Sequence, residues 1–160
     1  MATEEEKKRN LARINAMIIY GLEKGLWDLF GESALATTNA VGDGMLALLE
    51  KNMGLEIADE DPQNILTEIG RIFIDEFGIA ARFDVTKTDE NVDFVVERCV
   101  LLHVEKDLVE AGIKPFVCPY LNISAAALRE RMGMRTRISK FDVDLEEHRC
   151  LLQFQMLGKK

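Results

Sequence analysis

Near the start of the chain Leu11, Ile14, Ile18, Leu22, Leu26 and Leu29 recur every three or four residues, while Lys7, Arg9, Arg13 and Glu23 fall largely elsewhere. That period predicts a long amphipathic helix. Thr3-Glu4-Glu5-Glu6 fits a capping box, in which the Thr3 hydroxyl and the Glu6 carboxylate satisfy each other's backbone N–H groups. Phe30-Gly31 marks the expected end. A second helix is expected after Ser33, with Leu35, Val41, Met45, Leu48 and Leu49 apolar and Gly54 as its stop. Within it Thr37, Thr38, Ala40, Gly42 and Gly44 are small enough to admit another backbone or a ligand. Gly42-Asp43-Gly44 is no phosphate loop, because no strand precedes it and no Lys-Ser/Thr follows.

Asp61-Pro62 reads as an N-cap followed by proline in the first turn, with Ile65, Ile69, Phe73 and Phe77 on one face and Gly78 as the stop. The period then changes to two. Arg82-Phe83-Asp84-Val85-Thr86 alternates, Asp89-Glu90-Asn91 turns, and Val92-Asp93-Phe94-Val95-Val96 returns, which predicts a β-hairpin. Helices over 101–111 and 121–132 follow, stopped by Gly112 and Gly133. Strands over 135–143 and 148–157, joined at Asp144-Leu145-Glu146-Glu147, close the pattern. Helices, hairpin, helices, hairpin is the order of an α+β fold: a four-stranded antiparallel sheet of two hairpins packed with helices, with long N-terminal helices. We expect one domain over 1–160, comprising a helical part over 1–54, a candidate dimerisation arm, and an α/β core over 61–157.

Composition changes this picture little: 48% hydrophobic and 30% charged residues are those of an ordinary globular chain, with looseness expected only at 1–8 and 158–160. Charge excludes more. A net charge of −8 argues against a nucleic-acid partner, which would call for a basic face. The local exception is Arg129-Glu130-Arg131-Met132-Gly133-Met134-Arg135-Thr136-Arg137, either a solvated helix end and strand start or an anion or partner site. No apolar run approaches a membrane span, and the acidic N-terminus is unlike a signal peptide, so a cytoplasmic location is expected. There the 3 cysteines should be reduced thiols.

Those thiols carry the candidate chemistry. Strand parity puts His148, Cys150, Leu152, Phe154 and Met156 on one face, the core side. Cys118 lies in the apolar segment Pro115-Phe116-Val117-Cys118-Pro119-Tyr120, and Cys99 is followed four residues later by His103. Thiolate and imidazole suit zinc, and Cys99-x-x-x-His103 has workable spacing; against this, no Cys-x-x-Cys pair is present, and buried thiols often act as small hydrophobes. No hydrolase elbow or His-Glu-x-x-His motif occurs, and a Cys–His pair such as Cys150 with His103 lacks a known geometry, so no catalytic residue is assigned. The first helix either packs on its own sheet or pairs across a two-fold axis; its long stripe favours a homodimer.

From Asp61 onward the chain resembles the 4-vinyl reductase family, hydrocarbon-binding domains that share their fold with TRAPP subunits. The resemblance lies in the order of elements and in Val117-Cys118-Pro119-Tyr120 and Glu147-His148-Arg149-Cys150. It implies a binding or sensor module for a hydrophobic or aromatic small molecule. It also implies a structural zinc held by three cysteines and a glutamate, onto which Cys118, Glu147 and Cys150 map. The fourth ligand would fall near Gly158, which cannot serve; Cys99, His103 or His148 would have to replace it. No nicotinamide or flavin fingerprint supports a tetrapyrrole vinyl reductase, and a sensor without an output module of its own would need a separate signalling protein. Phe73, Phe77, Phe94, Phe116, Tyr120, Leu152 and Phe154 are the expected pocket lining, or else plain core. The alternative from another class is a ligand-free assembly subunit of TRAPP-like fold.

Overall fold

Thr3 Oγ1 accepts from the Glu6 N–H at 3.2 Å and the Glu6 carboxylate accepts from the Thr3 N–H at 2.7 Å, so the capping box forms. It opens helix α1, Glu4–Phe30, in the computed structural model, which describes residues 1–159. Lys160, expected to be loose, lies outside the described residues. A 3-10 segment, Gly31–Thr37, leads into α2, Thr38–Met53, which Gly54 ends in the left-handed conformation at φ +68°. The Asp61 side chain accepts from the N–H groups of Gln63 and Asn64 and starts α3, Pro62–Asp75. Then come β1, Arg82–Lys87, β2, Asn91–Glu97, α4, Leu102–Glu110, α5, Pro119–Met132, β3, Met134–Asp144, and β4, Arg149–Lys159.

The two expected hairpins form, and an antiparallel β2–β4 pairing joins them into one sheet of order β1-β2-β4-β3. Its register sets Val92 opposite Phe154, Phe94 opposite Leu152 and Val96 opposite Cys150. All six are buried, so alternation on the two central strands builds one continuous apolar face. Parity fails one residue earlier. His148, expected to point inward, sits in the β3–β4 turn at φ +52° and is exposed, so the strand's alternation does not reach it.

Helix α5 lies in this core with every residue from Tyr120 to Leu128 buried. A helix covered on all sides must let its neighbours approach closely, which Ser124-Ala125-Ala126-Ala127 allows. The closest neighbour is α2: a Cβ on Gly42 would stand 2.4 Å from the Asn122 carbonyl oxygen. The arginine-rich stretch helps to hold the two helices together. Arg129 bonds to Asn39 at 2.9 Å and pairs with Asp43, while Arg131 pairs with Glu50 and donates to the Ile57 carbonyl at 2.5 Å. Arg135 and Arg137 belong instead to β3.

Helix α1 buries only Glu23. It turns Ile19, Tyr20, Leu26 and Trp27, all partly covered, toward the body. The expected stripe points the other way: Leu11, Ile14, Ile18, Leu22 and Leu29 are 44% to 77% exposed, so most of it is not spent on the chain's own sheet. Among the described residues no helix is long and apolar enough to cross a membrane.

The α2–α5 contact generates a paired test. Gly42→Ala should destabilise the protein by about 1–3 kcal/mol, because the added methyl meets backbone. Gly44→Ala, where a Cβ meets nothing within 4 Å, should instead be neutral or stabilising by up to about 1 kcal/mol. Urea unfolding of the two variants beside the wild type measures both.

Candidate functional site

The segment leading into α5 organises both features that could carry function. A buried Glu23 carboxylate oxygen accepts from the N–H of Phe116 at 2.5 Å and of Val117 at 2.7 Å. Burial pushes this carboxyl up, and the two backbone donors partly offset that. The Asn122 side chain accepts from the Cys118 N–H at 2.7 Å and donates to the carbonyls of Phe116, at 2.9 Å, and Thr38, at 3.3 Å. These contacts pair the backbone groups of the segment entering α5, so that Phe116 reaches one side of it and Cys118 the other.

On the Phe116 side is a cleft of about 710 Å³, within the range of small-molecule sites. Its floor is Ile113, Pro115, Phe116, Leu121 and Ala125, all buried. Leu35, Thr38 and Asn39 contribute from the α2 end, and Val109, Gly112 and Lys114 from the end of α4 and the following loop. The remaining wall is Thr136, Arg137, Ile138, Ser139, Lys140 and Phe141 of β3. Six consecutive strand residues cannot share a face, so the cleft runs along the free edge of this outer strand. A register shift between Ile138 and Lys140 leaves Ser139 unpaired there, a bulge that puts Ser139 and Lys140 outward together while Ile138 and Phe141 stay half-buried.

On the Cys118 side, Cys99 after β2, Cys118 at the N-cap of α5 and Cys150 at the start of β4 gather around Glu105 of α4. All three thiols are free and buried. Glu105 is 3% exposed, and neither carboxylate oxygen has a hydrogen-bond partner. Desolvation pushes its carboxyl up to about 7. The Cys118 and Cys150 thiols are near enough to favour its charged form, though neither meets normal hydrogen-bond geometry. Burial, and secondarily the Glu105 charge, push the Cys99 thiol up to about 12 and raise Cys118 and Cys150 further. Such thiols stay protonated and are poor nucleophiles. The buried Tyr120 hydroxyl also lacks a partner, and burial, with Cys99 and Cys118 secondarily, pushes its titration up.

The residues expected from sequence divide sharply. Of the expected pocket lining, Phe116 lines the cleft. Phe73, Phe94 and Tyr120 pack against one another instead, with Tyr120 at 4.5 Å from Phe73 and 5.4 Å from Phe94 between ring centres. Leu152 and Phe154 are fully covered on the sheet, and Phe77 is 38% exposed past the end of α3. Of the expected metal ligands, the three cysteines come together, while Glu147 and His148 are exposed in the β3–β4 turn and His103 is exposed on α4. Cys99, His103 and His148 do border one shallow depression, together with Arg98 and Leu102. Among the described residues no three His, Cys, Asp or Glu groups stand close enough to hold a metal ion as they are. Glu105 was the residue missed. Its spacing from Leu102 and Leu108, three residues each way on an amphipathic helix, was the available signal for burial.

Comparison with known proteins supports this architecture. A subunit 3 of the trafficking protein particle complex from Naegleria fowleri, covalently bound to palmitic acid, superimposes with a TM-score of 0.58 at 14% identity, over 94% of this chain and 98% of its own. The phenol-responsive sensory domain of the transcription activator PoxR, with phenol, gives 0.57 at 15% identity, over 89% and 74%. At that identity the likeness shows the fold alone, and it is the TRAPP-like fold expected from sequence. An uncharacterized protein of Methanocaldococcus jannaschii is 25% identical over 130 residues, 81% of this chain and 79% of its own. The family model that matches is not that of the 4-vinyl reductases. Matching it over residues 14–157, the chain belongs to the family described as "Putative rubredoxin C-terminal domain".

Proposed function

We propose that this chain is a small-molecule-binding module whose ligand sits in the cleft between α5, the loop before it and the edge of β3. The observation that carries this reading is the open volume of about 710 Å³ above an apolar floor, in a protein whose central core is otherwise filled by interlocking aromatic rings. The solved relatives lend support, one with phenol and one covalently bound to palmitic acid. The family description names a position in a longer chain and no activity. The elevated thiols weigh against a cysteine-dependent enzyme.

A second element of the proposal is a structural zinc held by Cys99, Glu105, Cys118 and Cys150. Its support is the uncommon cost of Glu105 as it stands, a buried carboxylate with no partner facing three buried thiols. Three sulfurs and one oxygen are a donor set zinc accepts, and the four groups would draw in from their present spacing as the thiols lose their protons. When bound, zinc would tie the end of β2 to α4, α5 and β4. A third element concerns α1, whose outward row of large apolar side chains favours pairing with the same helix of a second copy. That face equally serves the assembly-subunit reading. In the binding-module reading a separate signalling protein would read the ligand-bound form.

Thermal unfolding against phenol, indole and palmitate tests the first element. A ligand at a hundred times its Kd should add about 2.7 kcal/mol, roughly 5–10 °C in Tm for a chain of this size. Thr136→Phe, filling the cleft from its strand wall, should remove the shift; no shift with any of the three would count against the reading. For the second, protein purified without chelator should carry about one zinc per chain. Glu105→Gln and Cys150→Ser should lose it, and Glu147→Gln, His103→Ala and His148→Ala should keep it. Wild type that neither holds zinc nor gains Tm on its addition would overturn this element. For the third, sedimentation should show a dimer that Ile18→Glu with Leu22→Glu converts to monomer, without loss of helix content.

A further inference from the structure

We infer that the exposed face of α1 docks antiparallel on the same face of a second copy, with Ile14 and Ile18 of each helix seated against Gly25 and Gly21 of the other. The inference rests on the reading that α1 pairs with a second copy, and it adds the direction and register of that pairing. Leu11, Ile14, Ile18, Gly21 and Gly25 succeed one another at steps of three, four, three and four, the spacing of a coiled-coil seam. All five are exposed, and Leu22 and Leu29 flank them. Large side chains fill the first half of the seam and nothing fills the second. Glycine is a poor helix former, kept inside a helix where another group must stand close. Gly42 and Gly70 have such neighbours within the chain. Gly21 and Gly25 do not: they sit in the body of α1, and a Cβ on either would meet nothing within 4 Å. Gly44 of α2 is equally open, but singly; the α1 glycines stand one turn apart inside an apolar row.

Shape sets the direction. Laid parallel, two such seams would stack Leu11, Ile14 and Ile18 on themselves and leave glycine facing glycine, crowded at one end and hollow at the other. Laid antiparallel with Ile18 opposite Gly21, Ile14 falls opposite Gly25, so each large side chain meets a gap. Charge agrees. Lys7 precedes the seam by a further step of four, and Asp28 follows it by three. A parallel pair would bring like charges together at both ends, whereas the antiparallel pair brings Lys7 of one copy toward Asp28 of the other. Both now form exposed pairs within their own helix, Lys7 with Glu4 and Asp28 with Lys24, and such pairs exchange at little cost. The area is of the right order. Leu11, Ile14, Ile18, Leu22 and Leu29 leave on the order of 600 Å² of surface in water, against the ~800 Å² per partner that a stable interface buries. From Glu4 to Asn15 only Glu6 is even half-covered, so about three turns of helix rest on nothing in their own chain. The antiparallel partner lays its body-anchored half along them.

Cross-linking and sedimentation of the full chain test this. The three native thiols are buried, so a cysteine introduced on α1 is the one that reacts. In the antiparallel pair residue 11 faces residue 28 of the other copy, while the two copies of residue 11 lie roughly 25 Å apart. Leu11→Cys protein mixed with differently tagged Asp28→Cys protein should therefore form the mixed disulfide under mild oxidation, and Leu11→Cys protein alone should not cross-link. Gly21→Leu with Gly25→Leu should weaken the dimer at least about tenfold by filling the gaps, although leucine is the better helix former and circular dichroism should show no loss of helix. Cross-linking through Leu11→Cys alone, or a dimer that keeps its wild-type affinity with both leucines in place, would overturn the direction and register while leaving the pairing of α1 standing. Wild type that sediments as a monomer would overturn both this inference and the reading it rests on.

Discussion

Glu23 is the contact on which the rest of the structure depends. It is the one residue that α1 buries, and its carboxylate satisfies two backbone donors in the segment entering α5. Removing it would leave two buried N–H groups without partners, each costing about 1–3 kcal/mol. It would also leave α1 attached only by partly covered side chains such as Ile19, Tyr20, Leu26 and Trp27. Asn122 completes the arrangement from inside α5 by bonding to both sides of the same segment and to the Thr38 carbonyl of α2. A buried charge is tolerable here because backbone dipoles replace the lost water, although desolvation remains the larger influence on its titration.

Glu105 presents the opposite case. It lies within electrostatic reach of Glu23, is as deeply buried, and has no donor. A packed interior does not ordinarily hold such a group, since an apolar residue of the same size would cost less. With three thiols facing it, two states relieve the conflict. Either the carboxyl is protonated, in keeping with its upward displacement, or a cation replaces the protons of the whole cluster. The three cysteines arrive from the end of β2, the N-cap of α5 and the start of β4, elements far apart in sequence. Their convergence on α4 is a property of the β2–β4 pairing, which sets Val96 opposite Cys150 and so brings the end of β2 alongside the start of β4.

That dependence explains what could be read from the sequence. Local chemistry was legible: the Thr3 box, the Asp61 cap, the stops at Gly54 and Gly133 and both hairpins are set by neighbours within a few residues. That the hairpins join in one four-stranded sheet followed from the order of elements; that β2 and β4 are the strands that join them did not, because no short-range signal specifies a pairing across two intervening helices. The stripe of α1 left two partners open, the chain's own sheet or a second copy, because this helix has apolar residues on two sides and periodicity reports a face without saying which partner covers it. For the site, parity placed Cys150, Leu152 and Phe154 inward correctly and failed at His148, whose left-handed backbone takes it out of the strand. The cleft was invisible, since it lies along a strand edge and is lined by residues of both parities.

The cleft and the thiol cluster are therefore two sides of one short stretch of chain. Phe116 forms part of the cleft floor, Cys118 belongs to the cluster, and Val117 between them shares the Glu23 tether with Phe116. Occupancy of the cleft that shifts the Phe116 backbone would lengthen its 2.5 Å bond to Glu23 or carry α1 along. Tightening of the cluster around Cys118 would resist that shift through the Asn122 bond to its N–H. The stretch is held on both sides, Phe116 through Glu23 and Asn122 and Cys118 through Asn122. Its one deeply buried connection to the exposed apolar face of α1 passes through a single carboxylate.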